Sequence, residues 1–310
     1  MMQKVLKLAG AAAVTGILSL CATTRAQEAE TAAGLWAIPI SNPVYTDTAY
    51  QKREINLVYI YQTLPSHVDS TMGDLALDGD LQAVAVQAEI PIMDGLSLVA
   101  DKSGGIFFKP DNAPFEDDEG WTDLAAGLKW AFYQDEKIAA ALRGTIELTN
   151  GSDGVFQGNG RGNFSPALLL THLGNSYAVN GVLGATLPFD SSEESTMGYA
   201  AISGAYRVTD SLSALLELNW FRVLEAGHGE SDFNNLGQGT HNILEFEGGD
   251  VINLGSNNSE KHPDFVSVAI GARYQITSNL NLGVAYEIPL STKDRGLMDQ
   301  RVTFDLAMSF

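Results

Sequence analysis

The sequence predicts an all-β fold, a single antiparallel up-and-down transmembrane β-barrel of about twelve strands. Three observations support this prediction. Apolar and polar residues alternate in segment after segment, the connections between these segments are alternately short and long, and the chain ends on such a segment, Arg301 to Phe310. That last segment has the length of a tilted membrane-spanning strand, roughly 9–11 residues. A terminal strand frays unless its neighbours hold it, so we expect this strand to close the barrel.

The N-terminus has the pattern of a secretory signal peptide. Lys4 and Lys7 precede an uncharged apolar run from Leu8 to Leu20, and small residues lead to Ala26. The apolar run is shorter than the ~20 residues of a membrane-spanning helix. We therefore expect cleavage after Ala26. The expected organisation is a signal peptide at 1–26, a periplasmic N-terminal segment at 27–53 and an outer-membrane β-barrel at 54–310.

Charge and cysteine content exclude several classes of function. The chain has 38 acidic and 18 basic residues, whereas a nucleic-acid-binding protein needs a basic face. The single cysteine, Cys21, lies in the expected signal peptide, so the mature chain has no cysteine for a disulfide, a metal site or a nucleophile. The mean hydropathy is near zero, as it is in a barrel whose outward apolar and inward polar residues cancel.

Alternation with a period of two places the strands. They are expected at 54–63, 80–91, 95–108, 121–133, 138–149, 163–173, 177–187, 198–208, 211–223, 265–277, 280–290 and 301–310. Long connections are expected at 64–79, 109–120, 150–162, 188–197, 224–264 and 291–300, with short turns between them. Short periplasmic turns and long external loops are typical of outer-membrane barrels. A soluble β-sandwich also alternates, but the length of these strands and the regular connections argue against it.

Two segments fit the pattern less well. Pro166 falls inside the strand at 163–173, although a closed barrel has no edge strand to tolerate a missing N–H. We expect the strand to begin after Pro166 or to contain a bulge there. The connection 224–264 contains NILEFEGGDVINL, which indicates a hairpin around Gly248 and Gly249. Its arms are too short to cross a membrane, so we expect it outside the barrel or folded into the mouth.

The polar face of the strands supplies candidate lumen residues of both charges. They are Asp123, Lys129, Arg143, Glu147, Arg207, Glu217, Arg273, Glu287, Arg301 and Asp305. These side chains either line a polar pathway and set its selectivity or form an ion-pair network that fills a narrow barrel. Alternation does not decide between the two.

Aromatic residues near the strand ends predict a girdle at the membrane interfaces. They are Trp121, Tyr133, Tyr177, Tyr199, Tyr206, Trp220, Tyr274 and Tyr286. The terminal Phe310 resembles the aromatic signature recognised by the barrel-assembly machinery, so we expect it to be an assembly signal. The expected partners are therefore that machinery, outer-membrane lipid, lipopolysaccharide and a small-molecule solute.

Other patterns predict no catalytic or metal site. The loops DNAPFEDDEGWTD and GHGESDFNN offer oxygen ligands for Ca²⁺ or Mg²⁺, but they lack calcium-loop spacing and are better explained as solvated acidic surface. QGNGRG lacks the Lys-Ser/Thr pair of a phosphate-binding loop. His172 alone among the histidines lies in an expected strand, and no Gly-x-Ser-x-Gly element occurs. We expect no enzyme activity, no metal and no cofactor.

Four stretches carry a family resemblance: IPISNPVYTDTAYQKREINLVYIYQTLP, GWTDLAAGLKWAF, FQGNGRG and LPFDSSEESTMGYAAISGAYRV. They resemble a family of Gram-negative outer-membrane barrels similar to the transporters grouped with the MetA-pathway phenol-degradation proteins. The resemblance implies a β-barrel and the uptake of small, hydrophobic or aromatic compounds, and it transfers no residue role. We expect a passive channel or transporter. The alternative is a structural or surface-interaction barrel with a plugged lumen and acidic extracellular loops.

Overall fold

Twelve antiparallel strands form a closed barrel in the computed structural model. It describes residues 35–68, 74–112, 116–158, 160–227, 250–252, 264–291 and 297–310. The expected signal peptide and most of the expected hairpin in connection 224–264 lie outside the described residues. Within the described ranges, no helix is long and apolar enough to cross a membrane.

The barrel strands follow the chain order. They are β1 Glu54–Thr63, β2 Gly79–Met93, β3 Leu96–Lys102 with Gly104–Pro110, β4 Asp118–Trp121 with Leu124–Gln134, β5 Ile138–Leu148, β6 Asn163–Leu173, β7 Tyr177–Pro188, β8 Thr196–Arg207, β9 Leu212–Glu225, β10 Asp264–Thr277, β11 Leu280–Pro289 and β12 Gln300–Ser309. Smaller elements are the 3₁₀ turns Leu35–Ala37 and Asp153–Val155 and a hairpin of His67–Val68 with Leu75–Ala76. The twelve-strand barrel predicted from alternation is therefore confirmed.

The last strand closes the barrel against the first, as the sequence predicts. β12 pairs with β1 from Ser309 opposite Glu54 to Gln300 opposite Thr63. β1 pairs along its other edge with β2. The C-terminus therefore lies beside the start of β1, at the end of the barrel that carries the short turns.

Two strands predicted to be continuous are each interrupted once. β3 breaks at Ser103 and β4 at 122–123. The N–H of Gly104 donates to the hydroxyl of Thr122 at 2.9 Å, and the N–H of Val86 donates to the carbonyl oxygen of Ser103 at 2.8 Å. These bonds satisfy backbone groups at the breaks, so the wall remains continuous.

Pro166 lies within β6 without shifting its register, so both expectations for this residue are wrong. Pairing with β5 is continuous and places Pro166 opposite Gly144. Pairing with β7 is not formed at Ser165 and Pro166, and it resumes in the same register at Ala167. Proline fixes φ at a value that extended backbone accepts, so the chain loses local pairing without changing direction.

Apolar side chains face outward along the strands. On β5, Ile138, Leu142 and Ile146 are each close to half exposed, whereas Ala139 and Arg143 of the opposite face are buried. A soluble protein would bury such a row of large apolar side chains. Their exposure is the pattern of a barrel that presents an apolar outer surface to lipid.

Most of the expected aromatic girdle faces outward. The exposed members are Trp121, Tyr133, Tyr177, Tyr206, Tyr274 and Tyr286. The assignment of Tyr199 to the girdle is wrong, because its side chain is 2% exposed and its ring centroid lies 4.4 Å from that of Tyr45. Tyr199 shares the inward face of β8 with Ser203 and Ala205, so alternation along the strand directs it into the lumen.

Residues 35–53 lie inside the barrel, and we call them the plug. The sequence analysis expected residues 27–53 to form a periplasmic segment; for residues 35–53 this expectation is wrong. Hydrogen bonds join the plug to inward side chains of strands on all sides of the lumen, such as Asn180 on β7 and Arg143 on β5. The physical reason is that wall side chains satisfy the polar backbone of the plug, so it is buried without belonging to a sheet.

Candidate functional site: the barrel lumen and its plug

The plug enters and leaves the lumen through the end of the barrel that carries the short turns. Near its start, the guanidinium of Arg207 lies 4.5 Å from the ring centroid of Trp36, next to the turn that follows β8. Near its end, the side-chain amide of Gln51 donates to the carbonyl oxygen of Met93 at 2.9 Å, next to the turn that follows β2. The intervening residues contact inward side chains higher in the wall, so the plug is a re-entrant loop.

Glu217 on β9 anchors the plug at its backbone. The Glu217 carboxylate is 1% exposed and accepts hydrogen bonds from the N–H of Ile40 at 2.9 Å and the N–H of Ser41 at 3.0 Å. It also accepts the hydroxyl of Ser41 at 2.7 Å. Asn219, on the same face of β9, donates to that hydroxyl at 2.9 Å. A buried carboxylate is costly without such donors, so the plug and Glu217 stabilise each other.

Other wall side chains donate to carbonyl oxygens along the plug. These contacts are Asn180 to Ala37 at 2.8 Å, Arg273 to Ile38 at 3.1 Å, Gln87 to Pro43 at 2.6 Å, Arg143 to Tyr45 at 2.8 Å and Lys129 to Thr48 at 3.0 Å. At Ala49, as at Ile40 and Ser41, the plug is the donor: the N–H of Ala49 donates to the hydroxyl of Thr171 at 2.8 Å. The wall therefore binds the plug mainly through its main chain.

A buried ion-pair cluster also joins the plug to the wall. Nζ of Lys129 on β4 lies 2.9 Å from Asp47 of the plug and 2.6 Å from Glu89 of β2. Nζ of Lys52 in the plug lies 2.8 Å from Asp47 and 2.8 Å from Glu54 at the start of β1. Removing one member of a buried pair leaves the other uncompensated, at a cost of about 3–5 kcal/mol. The cluster therefore ties the plug to three neighbouring elements of the wall.

Small wall residues leave the space that the plug fills. Tyr45 and Ala49 of the plug lie in one buried apolar cluster with the wall residues Ala131, Ala139, Ala141 and Ala167. Trp36 and Ile40 lie in a second cluster with Ala178, Ala205, Ala269 and Ala285. Close packing in this half of the lumen thus depends on a separate segment, because the wall alone does not supply the volume.

A small polar cavity remains between the plug and the wall. Its volume is about 40 Å³, and its lining includes Asp47, Lys52, Glu54, Glu89, Asp101 and Arg143. A cavity needs about 10–15 Å³ of this kind for one water molecule. The docked plug therefore leaves room here for a few water molecules and for no larger solute.

Residues from the long connections close the opposite half of the lumen. Nη2 of Arg301 donates to Asp250 at 2.9 Å, and the amide of Gln157 donates to the carbonyl oxygen of Val251 at 3.1 Å. Ile252 belongs to an apolar cluster with Val58, Ile60, Leu64, Val68, Leu77, Leu81, Ala83, Ile106, Phe108, Val155, Phe156 and Leu297. Residues 250–252 therefore lie in the mouth, one of the two positions expected for this connection.

The structure places the predicted lumen residues in different roles. Those that are buried on the inward face are Asp123, Lys129, Arg143, Glu217, Arg273, Glu287, Arg301 and Asp305. Glu147 is partly buried and pairs with Lys102 at 3.0 Å. Arg207 is exposed at the end of β8. Asp123 accepts the N–H groups of Gly151 at 2.8 Å and Gly158 at 3.0 Å, so it holds a long connection. The assembly role of Phe310 stays a prediction.

Sequence reasoning missed the plug and its uncharged partners. The partners Gln87, Thr171, Asn180 and Asn219 carry no charge, and an uncharged inward residue of a strand does not by its pattern indicate a bond to another segment. One signal was present: alanines occupy the inward face of β5 and neighbouring strands. In a barrel of twelve strands, inward side chains as small as alanine leave part of the lumen unfilled. They therefore indicate that a further segment of the chain fills it.

The described part of the chain contains no cluster of metal-binding side chains. There, no group of three or more His, Cys, Asp or Glu side chains is placed to hold a metal ion. Nε2 of His172 lies 3.2 Å from the hydroxyl of Tyr177 near a short turn. The expectation that the protein is not an enzyme stays a prediction.

Comparisons with known proteins bear on the fold. No family model matches the chain, and no curated protein sequence matches it. An outer membrane channel from Pseudomonas putida F1 is similar over 88% of this chain and 100% of its own, at 14% identity and a TM-score of 0.56. The NanC porin is similar over 83% of this chain and 98% of its own, at 6% identity and a TM-score of 0.47. The first similarity supports the barrel fold alone, and the resemblance to the phenol-degradation group stays a prediction.

Proposed function

We propose that the protein is an outer-membrane channel for small molecules and that the plug closes it in the state described by the structure. In this proposal the signal peptide exports the chain, the barrel-assembly machinery inserts it, and its outer face contacts lipid and lipopolysaccharide. The observation that carries the proposal is the nature of the lumen filling. A separate segment occupies a lumen whose wall carries many alanines there, beside polar side chains and larger apolar ones such as Leu169 and Phe221.

The connectivity of the plug allows its withdrawal. It enters and leaves at one end of the barrel, and among the described residues it pairs with no barrel strand. Withdrawal therefore breaks side-chain contacts and leaves the strand ladders intact. Water can replace the wall partners of the plug, since water-mediated hydrogen bonds are nearly as favourable as direct ones. A lumen held closed in this way supports a gate.

Both halves of the lumen combine polar and apolar groups, which bears on the solute. The half around the plug carries charged and amide side chains beside two apolar clusters, and the mouth contains the Arg301–Asp250 contact beside the apolar cluster around Ile252 and Phe108. A solute that crosses both regions needs apolar surface together with hydrogen-bonding groups. We therefore propose small amphipathic solutes, including aromatic ones, as the substrate class.

A second candidate is a structural barrel that stays closed. The buried ion pairs of Lys129 and the mouth contact between Arg301 and Asp250 favour it, because both ends of the lumen are occupied. In such a barrel the plug would be a permanent part of the core. The acidic outer loops would then carry the interactions of the protein with its surroundings.

A reversible crosslink between plug and wall separates the candidates. Ser41 and Asn219 touch through their side chains, and the expected mature chain has no cysteine, so Ser41→Cys with Asn219→Cys introduces a single pair. In a planar bilayer we expect voltage-dependent openings after reduction and none after oxidation. The single variants, treated with the same oxidant, are the controls.

Equal currents from the oxidised and reduced double variant would show that the plug is not the gate. Absence of current from the reduced variant and from the wild type, with both shown to be folded, would favour the structural barrel.

A further inference from the structure

We infer that the lumen binds short peptides when the plug is displaced, and that such peptides are among the solutes of the channel. The inference rests on the proposed function, because it needs a lumen that becomes free. The chemical class of the solute follows from the contacts that the wall makes with the plug.

The wall contacts main-chain groups over most of the plug. Side chains of β2, β4, β5, β7 and β10 donate to carbonyl oxygens between Ala37 and Thr48. Glu217 and Thr171 accept N–H groups at Ile40, Ser41 and Ala49. Every polypeptide carries these groups, so a peptide that follows the bent path of the plug can make the same main-chain contacts. The wall contacts with the Ser41 hydroxyl and the Asp47 carboxylate are the ones that depend on the side chains of the plug.

The Glu217 contact is the most selective of these interactions. Its two carboxylate oxygens accept N–H groups of consecutive residues, with Oε1 bonded to Ile40 and Oε2 bonded to Ser41. An ionised acceptor binds such donors more strongly than a neutral one. Consecutive N–H groups converge on one carboxylate only where a peptide backbone bends, as the plug does here, and sugars and simple aromatic compounds have no such donors. Glu217 therefore favours a peptide over other small amphipathic solutes.

The apolar contacts extend this preference to side chains. Trp36, Ile40 and Tyr45 of the plug occupy spaces bordered by wall alanines. Tyr45 also lies against Tyr199 and Phe221, with ring centroids 4.4 Å and 6.0 Å away. A peptide with spaced aromatic or aliphatic residues fits the same spaces. Such a peptide is also amphipathic, in agreement with the proposed solute class.

A simpler explanation is that the wall only satisfies the buried backbone of its own plug. Every buried N–H and C=O group needs a partner, so the contacts are expected on that ground alone. The two explanations differ for a peptide of unrelated sequence. A wall that serves only the plug has no reason to bind it, whereas a wall that binds main chain accepts it.

The test uses the full-length chain with a loosened plug and an intact wall. Ile40→Pro with Ser41→Pro removes all three donors to Glu217, the two N–H groups and the hydroxyl of Ser41, and changes no wall residue. Folding is checked by heat-modifiable migration, and Tyr45→Ala replaces the double variant if that variant does not refold. Three synthetic peptides are added: the sequence of residues 35–53, a scrambled version of it, and the original sequence with ester linkages in place of the amides at positions 40 and 41. Binding is measured by fluorescence anisotropy on the solubilised protein and by block of ion current.

We expect the scrambled peptide to bind within about tenfold of the plug sequence, and the ester peptide to bind at least tenfold more weakly. Glu217→Gln, introduced into the loosened variant, should weaken the amide peptides and bring them closer to the ester peptide. Asn281→Ala is the matched wall control, because Asn281 is buried and forms no hydrogen bond with the described plug residues.

Binding of the plug sequence alone would overturn the inference, and so would binding of neither amide peptide or equal binding of the ester. The anisotropy measurement does not require conduction. A barrel that conducts but binds no unrelated peptide contradicts only this inference, whereas a barrel that never conducts contradicts the proposed function.

Discussion

Arg273 on β10 and Asp305 on β12 form an ion pair across β11, with Nη2 and Oδ2 2.7 Å apart. Gly283 on β11 lies between the two residues, because it pairs with Arg273 on one side and with Asp305 on the other. A Cβ on Gly283 would lie 2.1 Å from Oδ1 of Asp305 and 2.9 Å from Cδ1 of Ile40 in the plug. Arg273 also donates to the carbonyl oxygen of Ile38. The pair, the glycine and the plug therefore pack as one unit.

Arg273→Ala should lower the free energy of unfolding by about 3–5 kcal/mol, because it leaves the buried Asp305 carboxylate without its cation. Urea unfolding of the refolded barrel measures the change. Arg161→Ala is the control: the Arg161 side chain is 77% exposed beside Asp190, and its loss should cost under about 1 kcal/mol. Equal losses would mean that Arg273 and Asp305 are solvated, as in an open lumen.

Gly283→Ala should destabilise the barrel by about 1–3 kcal/mol, because the added methyl group has no free volume. It should also raise ion conductance, since the methyl group displaces Ile40 of the plug. Gly204→Ala is the matched control on β8, where a Cβ meets nothing within 4 Å, and its effect should stay within about 0.5 kcal/mol. Indistinguishable variants in urea unfolding and in bilayer recordings would contradict the packed unit.

Alternation predicted the strands well because lipid outside and polar groups inside impose opposite demands on successive residues. On β5 this assigns Leu142 outward and Arg143 inward, as the structure shows. The break of β3 at Ser103 and the unshifted register at Pro166 depend on hydrogen bonds between strands. These bonds join residues distant in sequence, so a pattern within one segment carries no information about them.

The candidate site was predictable only in part for the same reason. The inward direction of Glu217 follows from its own strand, but its donor Ile40 lies 177 positions away. The plug itself has no regular period, because it is not a barrel strand and faces wall on several sides. Its burial depends on the alanines of the wall together with the polar residues beside them. These residues lie on different strands, so the pattern within one strand does not reveal the combination.

Leu142→Arg should impair assembly, because a basic residue on the lipid face at mid-depth costs about 2–4 kcal/mol. Leu142 is 47% exposed near the middle of β5. Tyr206→Arg is the control, since Tyr206 is exposed at the end of β8 and the cost near an interface falls to about 0–1 kcal/mol. Refolding yield into lipid vesicles compares them, and equal yields would argue against the depth assigned to β5.

Deleting Phe310 should reduce the amount of folded barrel in the outer membrane. The residue follows the closing strand, and its N–H donates to the carbonyl oxygen of Arg53 at 3.3 Å. Phe189→Ala removes an exposed phenylalanine from a long connection and serves as the control. Heat-modifiable protein in isolated outer membranes is the measurement. Wild-type amounts after the deletion would show that Phe310 is not an assembly signal.

Lys129→Gln should increase the time that the channel spends open. Nζ of Lys129 bonds Asp47, the carbonyl oxygen of Thr48 and Glu89, so the substitution removes a cation that two carboxylates share between plug and wall. The loss should also reduce the free energy of unfolding by about 3–5 kcal/mol, because those carboxylates stay buried. Single-channel recording measures the open fraction, and urea unfolding measures the stability.

Glu147→Gln is the matched control for charge removal in the lumen. Glu147 pairs with Lys102, and neither residue belongs to the plug, so the open fraction should stay at the wild-type value. If Glu147→Gln opens the channel as much as Lys129→Gln does, loss of any lumen charge is sufficient and Lys129 has no special role in holding the plug. If neither variant conducts although both are folded, the lumen is a filled core and the structural barrel is the better description.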